Sequence, residues 1–165
     1  MNIRRIVRHL LATDGQVKKA FPLSTLNRIE QAIRASETAH VGEIRFAVEG
    51  SLDGSPLFKG QSARERAIDL FSQLRVWDTQ HNTGVLIYLL LADRDVEIVA
   101  DRGIDAVVGS QAWGEMCRQM EAAFRQSNFE SGVMSGVQAV TQHLVKHFPA
   151  DHPNEDELPD KPVLM

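Results

Sequence analysis

One segment, Val85-Leu86-Ile87-Tyr88-Leu89-Leu90-Leu91, most constrains what this chain can fold into. A strand with one face in water alternates polar and apolar residues. A strand without polar residues has to be covered on both faces. The apolar run, extended to Ala92, is far too short to span a bilayer. Ala92-Asp93-Arg94-Asp95 then makes a tight turn, and Val96-Glu97-Ile98-Val99-Ala100 returns as a second, antiparallel strand. The rest of the chain must therefore supply helices to both sides of a sheet.

Apolar periodicity provides them. Leu26, Ile29, Ala32 and Ile33 share one face of a helix over residues 24–39, with Ser24 or Thr25 as cap. Ser62-Ala63-Arg64-Glu65 has the spacing of a capping box and opens a helix that buries Ala67, Leu70, Phe71 and Leu74. A helix over 111–126, capped by Ser110, turns Trp113, Met116, Cys117, Met120 and Phe124 inward. A last helix runs over 130–147, where Gly132 and Gly136 allow another element, expected to be the sheet, to approach closely. Glu43 to Glu49 alternates Ile44, Phe46 and Val48 with polar residues and reads as a strand with one buried face. Residues 50–61 read as a loop. The order predicts an α/β protein, a three-layer α/β/α sandwich around a small mixed sheet that includes a hairpin.

At 165 residues, 43% hydrophobic and 24% charged, the chain suits a single domain. Three regions follow: a basic amphipathic helix and linker over 1–20, the α/β/α domain over 21–148, and an acidic, disordered tail over 149–165. In the first, Ile3, Ile6, Val7, Leu10 and Leu11 oppose Arg4, Arg5, Arg8 and His9, and Asp14-Gly15 is expected to end the helix. Packing on the domain is its expected role, with peripheral contact to an anionic membrane or to an unidentified protein partner as the alternatives. A net charge of −4 argues against nucleic acid as a partner. One cysteine, Cys117, excludes an intrachain disulfide. With no secretory signal read at the start, a cytoplasmic protein is expected.

The run Asn82-Thr83-Gly84-Val85-Leu86-Ile87-Tyr88-Leu89-Leu90, then Asp93-Arg94, Val96-Glu97-Ile98 and Arg102-Gly103-Ile104-Asp105, resembles the central signature of the TPM domain. That family occurs in plant thylakoid-lumen proteins, in a modulator of acetylcholine receptors and in many bacterial proteins. The resemblance covers roughly residues 24–147 and implies an α/β/α sandwich. It also implies binding of calcium or another divalent ion by acidic residues, and phosphatase activity of the kind attributed to plant members. Asn82-Thr83-Gly84 departs from the acidic residue and asparagine that often precede the family's glycine.

Topology gathers the candidate ligands. If the strand at 43–49 runs parallel to that at 85–91, then Glu43, Asp78, Asn82, Asp101 and Asp105 share one end of the sheet. These are hard oxygen donors suited to Ca2+ or Mg2+, and Arg102 beside them can steady a phosphate or other anion. The expected function is an accessory or binding module holding a divalent cation. The alternative is a metal-dependent hydrolase of phosphate esters. The spacing marks no nucleophile, and no phosphate-cradling glycine loop of the usual patterns is present. Trp77 and Trp113 read as core aromatics, and His143 and His147 as a basic helix end.

Overall fold

The computed structural model describes residues 2–151 and 155–165. Helices α1 (Ile3–Leu10), α2 (Asp14–Ala20) and α3 (Leu23–Ser36) precede strand β1 (Glu43–Glu49). A short helix α4 (Gly54–Phe58) and then α5 (Ala63–Gln73) lead to the hairpin of β2 (Gly84–Leu90) and β3 (Asp95–Ala100). Helices α6 (Arg102–Val108), α7 (Ser110–Arg125) and α8 (Phe129–His147) follow, and β4 (Val163–Leu164) closes the chain.

The sheet order is β3-β2-β1-β4. β1 runs parallel to β2, with Glu43 opposite Gly84, while β2 and β3 are antiparallel, with Val85 opposite Ala100. The starts of β1 and β2 and the end of β3 thus lie at one end of the sheet. The β2–β3 turn, with Arg94 in a left-handed conformation, lies at the other.

Two cores sandwich the sheet. Ile44, Phe46, Val48, Val85, Ile87 and Leu89 pack against α3, α7 and α8 through Ile29, Ile33, Met120, Val133 and Val140. The opposite face offers Ala47, Leu86, Tyr88 and Leu90 to α4 and α5 through Leu57, Ala63, Ala67 and Leu70. This is the expected α/β/α sandwich. β2 is buried along its whole length, as its composition required. β1 is buried along its whole length as well, rather than on one face, because α4, α5 and the chain after residue 155 cover its polar side.

Several local expectations change. Asp14 opens α2 rather than ending α1. Thr25 lies inside α3, whose cap position is Pro22, and its hydroxyl donates to Glu130 at 2.5 Å. Gly109, not Ser110, precedes α7, with φ of 82° where a side chain would be strained. Gly132 and Gly136 admit α7 rather than the sheet: a Cβ on Gly132 would sit 2.5 Å from the Phe124 ring, and one on Gly136 would collide with the Met120 sulfur. Trp113 is buried, but Trp77 is half exposed under the Arg75 guanidinium, 5.8 Å from its ring centre. The loop expected over 50–61 contains α4.

Residues 155–165 are ordered, contrary to the disorder expected of the tail. Leu158 enters the second core, and β4 pairs with β1. Composition alone suggested a chain too polar to pack; here one leucine and the backbone groups find partners on the domain. His152, Pro153 and Asn154 lie outside the described residues. No described helix is long and apolar enough to cross a membrane.

Candidate functional site

β1 carries an unusual load for a buried strand. Its side chains facing α5 and the tail include Glu43, Arg45 and Glu49, all buried. Charges in such a place need partners, since burial strips their water. Glu49 receives two hydrogen bonds from Arg66, Nε and Nη2 each at 2.8 Å, and a third from the Tyr88 hydroxyl at 2.7 Å. Beside that carboxylate, burial and the negative charge push the Tyr88 phenol well above its usual range.

The other two meet the tail. The N–H groups of Glu157 and Leu158 donate to the Glu43 carboxylate at 3.2 and 3.3 Å. Glu157 in turn accepts from the Gln80 N–H at 2.9 Å. Asp160, 4% exposed, receives the Arg34 Nε at 3.0 Å. Glu37 caps the end of α3 and accepts from the Ile44 N–H at 3.2 Å. Carboxylate oxygens of Glu37, Asp156 and Asp160 all lie within 4.8 Å of one another.

The electrostatics of this cluster are unbalanced. Burial, with the charges of Glu43 and Asp160 beside it, pushes the Glu37 carboxyl up to about 9. Burial likewise raises Glu43 to about 7, against the pull of its two backbone donors. Arg45 sits among these acids, yet its Nε and Nη1 are buried without a hydrogen-bond partner among the described residues. Burial holds its guanidinium below the ordinary value, and Asp160, Asp156 and Glu37 act against that. One oxygen of Asp160, Oδ1, is also buried and unpartnered. Four carboxyl groups thus face two guanidinium groups, one of which, that of Arg34, is largely in solvent. A site of this kind takes up either protons or a cation.

The residues expected from sequence occupy the same end of the sheet in other roles. Glu43 borders the cluster through its tail contacts. Asp78 is exposed and 3.5 Å from Arg75. Asn82 adopts a positive φ of 53°, and its carbonyl accepts from the N–H groups of Gly103 and Ile104 at 3.0 and 3.3 Å. Asp101 caps α6 by accepting from the Arg102 N–H at 2.7 Å, and its other oxygen is buried without a partner. Asp105 accepts from the Trp113 indole at 2.9 Å, and Arg102 is exposed. Among the described residues, the three-carboxylate grouping within metal-binding reach is Glu37, Asp156 and Asp160. Sequence reasoning missed it because Asp156 and Asp160 come from the supposed disordered tail. Leu158 and the Val163-Leu164 pair, apolar residues in a polar stretch, were the available signal.

An α/β/α sandwich with this hairpin and an acidic end at the start of its parallel strands defines a class, and comparison with known proteins narrows it. The family model of the TPM domain matches residues 17–143, and the chain belongs to that family. It is similar to the BA42 protein of the psychrophilic bacterium Bizionia argentinensis, solved by NMR: 30% identity, TM-score 0.74, over 86% of this chain and 93% of that one. The N-terminal domain of a P. gingivalis protein shares the fold at 18% identity and TM-score 0.62, over 86% of this chain and 95% of that one. No curated protein sequence matches the chain. The TPM match ends before the tail, so Asp156 and Asp160 lie outside it.

Proposed function

We propose that this TPM domain is a binding module that takes a divalent cation at the acidic end of its sheet, with Glu37, Asp156 and Asp160 as carboxylate ligands. The observation that carries the reading is the mutual approach of their oxygens to within 4.8 Å. Oxygens around one calcium ion, each about 2.4 Å from it, lie no more than about 4.8 Å apart. An ion there would offset the burial and the repulsion that together raise Glu37. It would also tie α3 to the tail and hold the tail across β1.

Metal binding must displace the proton that Glu37 holds at neutral pH, so affinity rises between pH 7 and 9. Titration with Ca2+ and with Mg2+, followed by backbone NMR, tests this. Saturable shifts at Glu37 and residues 155–160, stronger at pH 9 and lost in Glu37→Gln, are the expected result. Shifts confined to Asp78, Asn82, Asp101 and Asp105 would move the site to that ligand set. No shifts with millimolar metal would end the reading.

Phosphate-ester hydrolysis is a second reading, favoured by the exposed Arg34 guanidinium 3.0 Å from Asp160. A cation and an arginine side by side can share a phosphoryl group. Metal-dependent release of phosphate from p-nitrophenyl phosphate, lost in Asp160→Asn, would support it. Its absence would leave binding alone.

A further inference from the structure

Helix α1 docks on the domain the wrong way round for an amphipathic helix. The side it turns inward carries Arg5 and His9, while Arg4 and Arg8 stay exposed. Arg5 donates to Asp93 at 2.8 Å and to the Gln61 carbonyl at 2.9 Å. Arg8 also pairs with Asp93. His9, 2% exposed, accepts from the Leu52 N–H at 2.9 Å, with its other nitrogen 3.1 Å from Asp93. Ile6 alone among the helix's aliphatic residues packs against a core. Ile3, Val7 and Leu10, with Leu11 just beyond, stand 68, 49, 61 and 70% exposed. Successive positions 3, 7, 10 and 11 form one stripe, so the exposure is a continuous apolar ridge.

Cations flank the ridge. Arg4 and Arg8 lie along one side of it. With Lys19 and Arg94 they surround a cleft of about 990 Å³ whose apolar lining includes Val7 and Leu11. Among the described residues, Arg4, Lys19 and Arg94 enter no ion pair. A chain of net charge −4 therefore turns one positive, apolar patch outward at the β2–β3 end of its sheet.

We infer that this patch docks on an anionic membrane surface, the ridge entering the headgroup boundary and Arg4, Lys19 and Arg94 taking lipid phosphates. The composition favours a bilayer over a protein groove. Protein hot spots are rich in Trp, Tyr and Arg set in fitted pockets. Here the exposed residues are aliphatic, with basic residues beside them, which is the pattern of interfacial helices. The ion pairs to Asp93 hold the helix in that orientation before any membrane is met. The acidic cluster lies at the opposite end of the sheet, so a docked molecule would present it to solution.

The test is co-sedimentation of the full chain, in chelator to keep it independent of any cation site, with vesicles of phosphatidylcholine alone or mixed with phosphatidylglycerol. The expected result is partition onto the mixed vesicles only, weakened by salt. The triple variant Val7→Ser, Leu10→Ser, Leu11→Ser and the double variant Arg4→Glu, Lys19→Glu should each lose at least about tenfold in partition. Both leave Arg5, His9 and Asp93 intact, and circular dichroism checks that the fold is retained. No partition of the wild type, or equal partition of the serine variant, overturns the inference. So does a wild-type dimer in light scattering that the serine variant converts to monomer, since the ridge would then cover itself.

Discussion

At the scale of single residues, the apolar second core borders a buried charge network through Tyr88. Glu49, Arg66 and Tyr88 form a closed set in which every carboxylate oxygen has a donor. Removing one member of such a set costs most when it leaves a buried charge behind. Arg66→Ala, which strands Glu49, should destabilise the fold by about 3 kcal/mol. Tyr88→Phe removes one of three donors and should cost about 1 kcal/mol. Urea denaturation of the two variants measures the difference. Equal small losses would mean that solvent reaches Glu49 and replaces the arginine.

At the scale of elements, the hairpin and the long amphipathic helices were legible because their information is local. Apolar runs, turn residues and the Ser62–Glu65 box each lie within a few positions of what they specify. The seven-residue helices α2 and α6 were not read, since each is too short to show a period. β4 was invisible for a different reason: a two-residue strand is defined by its partner, Ala47 and Val48, far away in sequence. The face by which α1 docks was not legible on the same ground. Periodicity identifies the two faces of a helix but not that a half-buried Asp93 will select the side carrying Arg5 and His9. Topology placed Glu43 at this end of the sheet, where it borders the acidic cluster, whereas Glu37 lay hidden as a helix cap and Asp156 and Asp160 in the tail. β3, at the other sheet edge, carries its own protection: Arg64 donates to the Ile98 carbonyl at 2.5 Å and Glu121 accepts from the Val96 N–H at 3.4 Å. Side chains filling edge positions discourage pairing with another molecule.

At the scale of the whole molecule, stability against pH sums opposing groups. His40 is fully buried between α3 and β1, where the chain pairs with Pro149 beyond α8. Its Nδ1 accepts from the Gly42 N–H at 3.2 Å, and burial lowers its pKa to about 4. A depressed histidine contributes stability that is present above its unfolded value near 6.5 and is lost as pH falls toward 4. Glu37 and Glu43, both raised, work in the reverse sense: their contribution is full at low pH and is lost as pH rises through about 9 and about 7. The difference between the wild-type and His40→Asn stability profiles isolates the histidine. Wild type should lose on the order of 2–3 kcal/mol relative to the variant between pH 7 and 4. Parallel profiles would show that His40 gains its proton without opening the fold.

The same scale governs the outer edge of β1. It is closed by Val163 and Leu164, with Met165 exchanging backbone hydrogen bonds with Val48 and Gly50. So short a strand opens easily, and what recloses it is decided by supply. The molecule's own tail, tethered at residues 155–160, stands at an effective concentration of roughly millimolar. A neighbour's tail competes only when the protein itself is that concentrated. Each copy is therefore expected to close its own edge in dilute solution and to trade tails only near millimolar protein, where light scattering at rising concentration would show the seal of the sheet turned into a link between molecules.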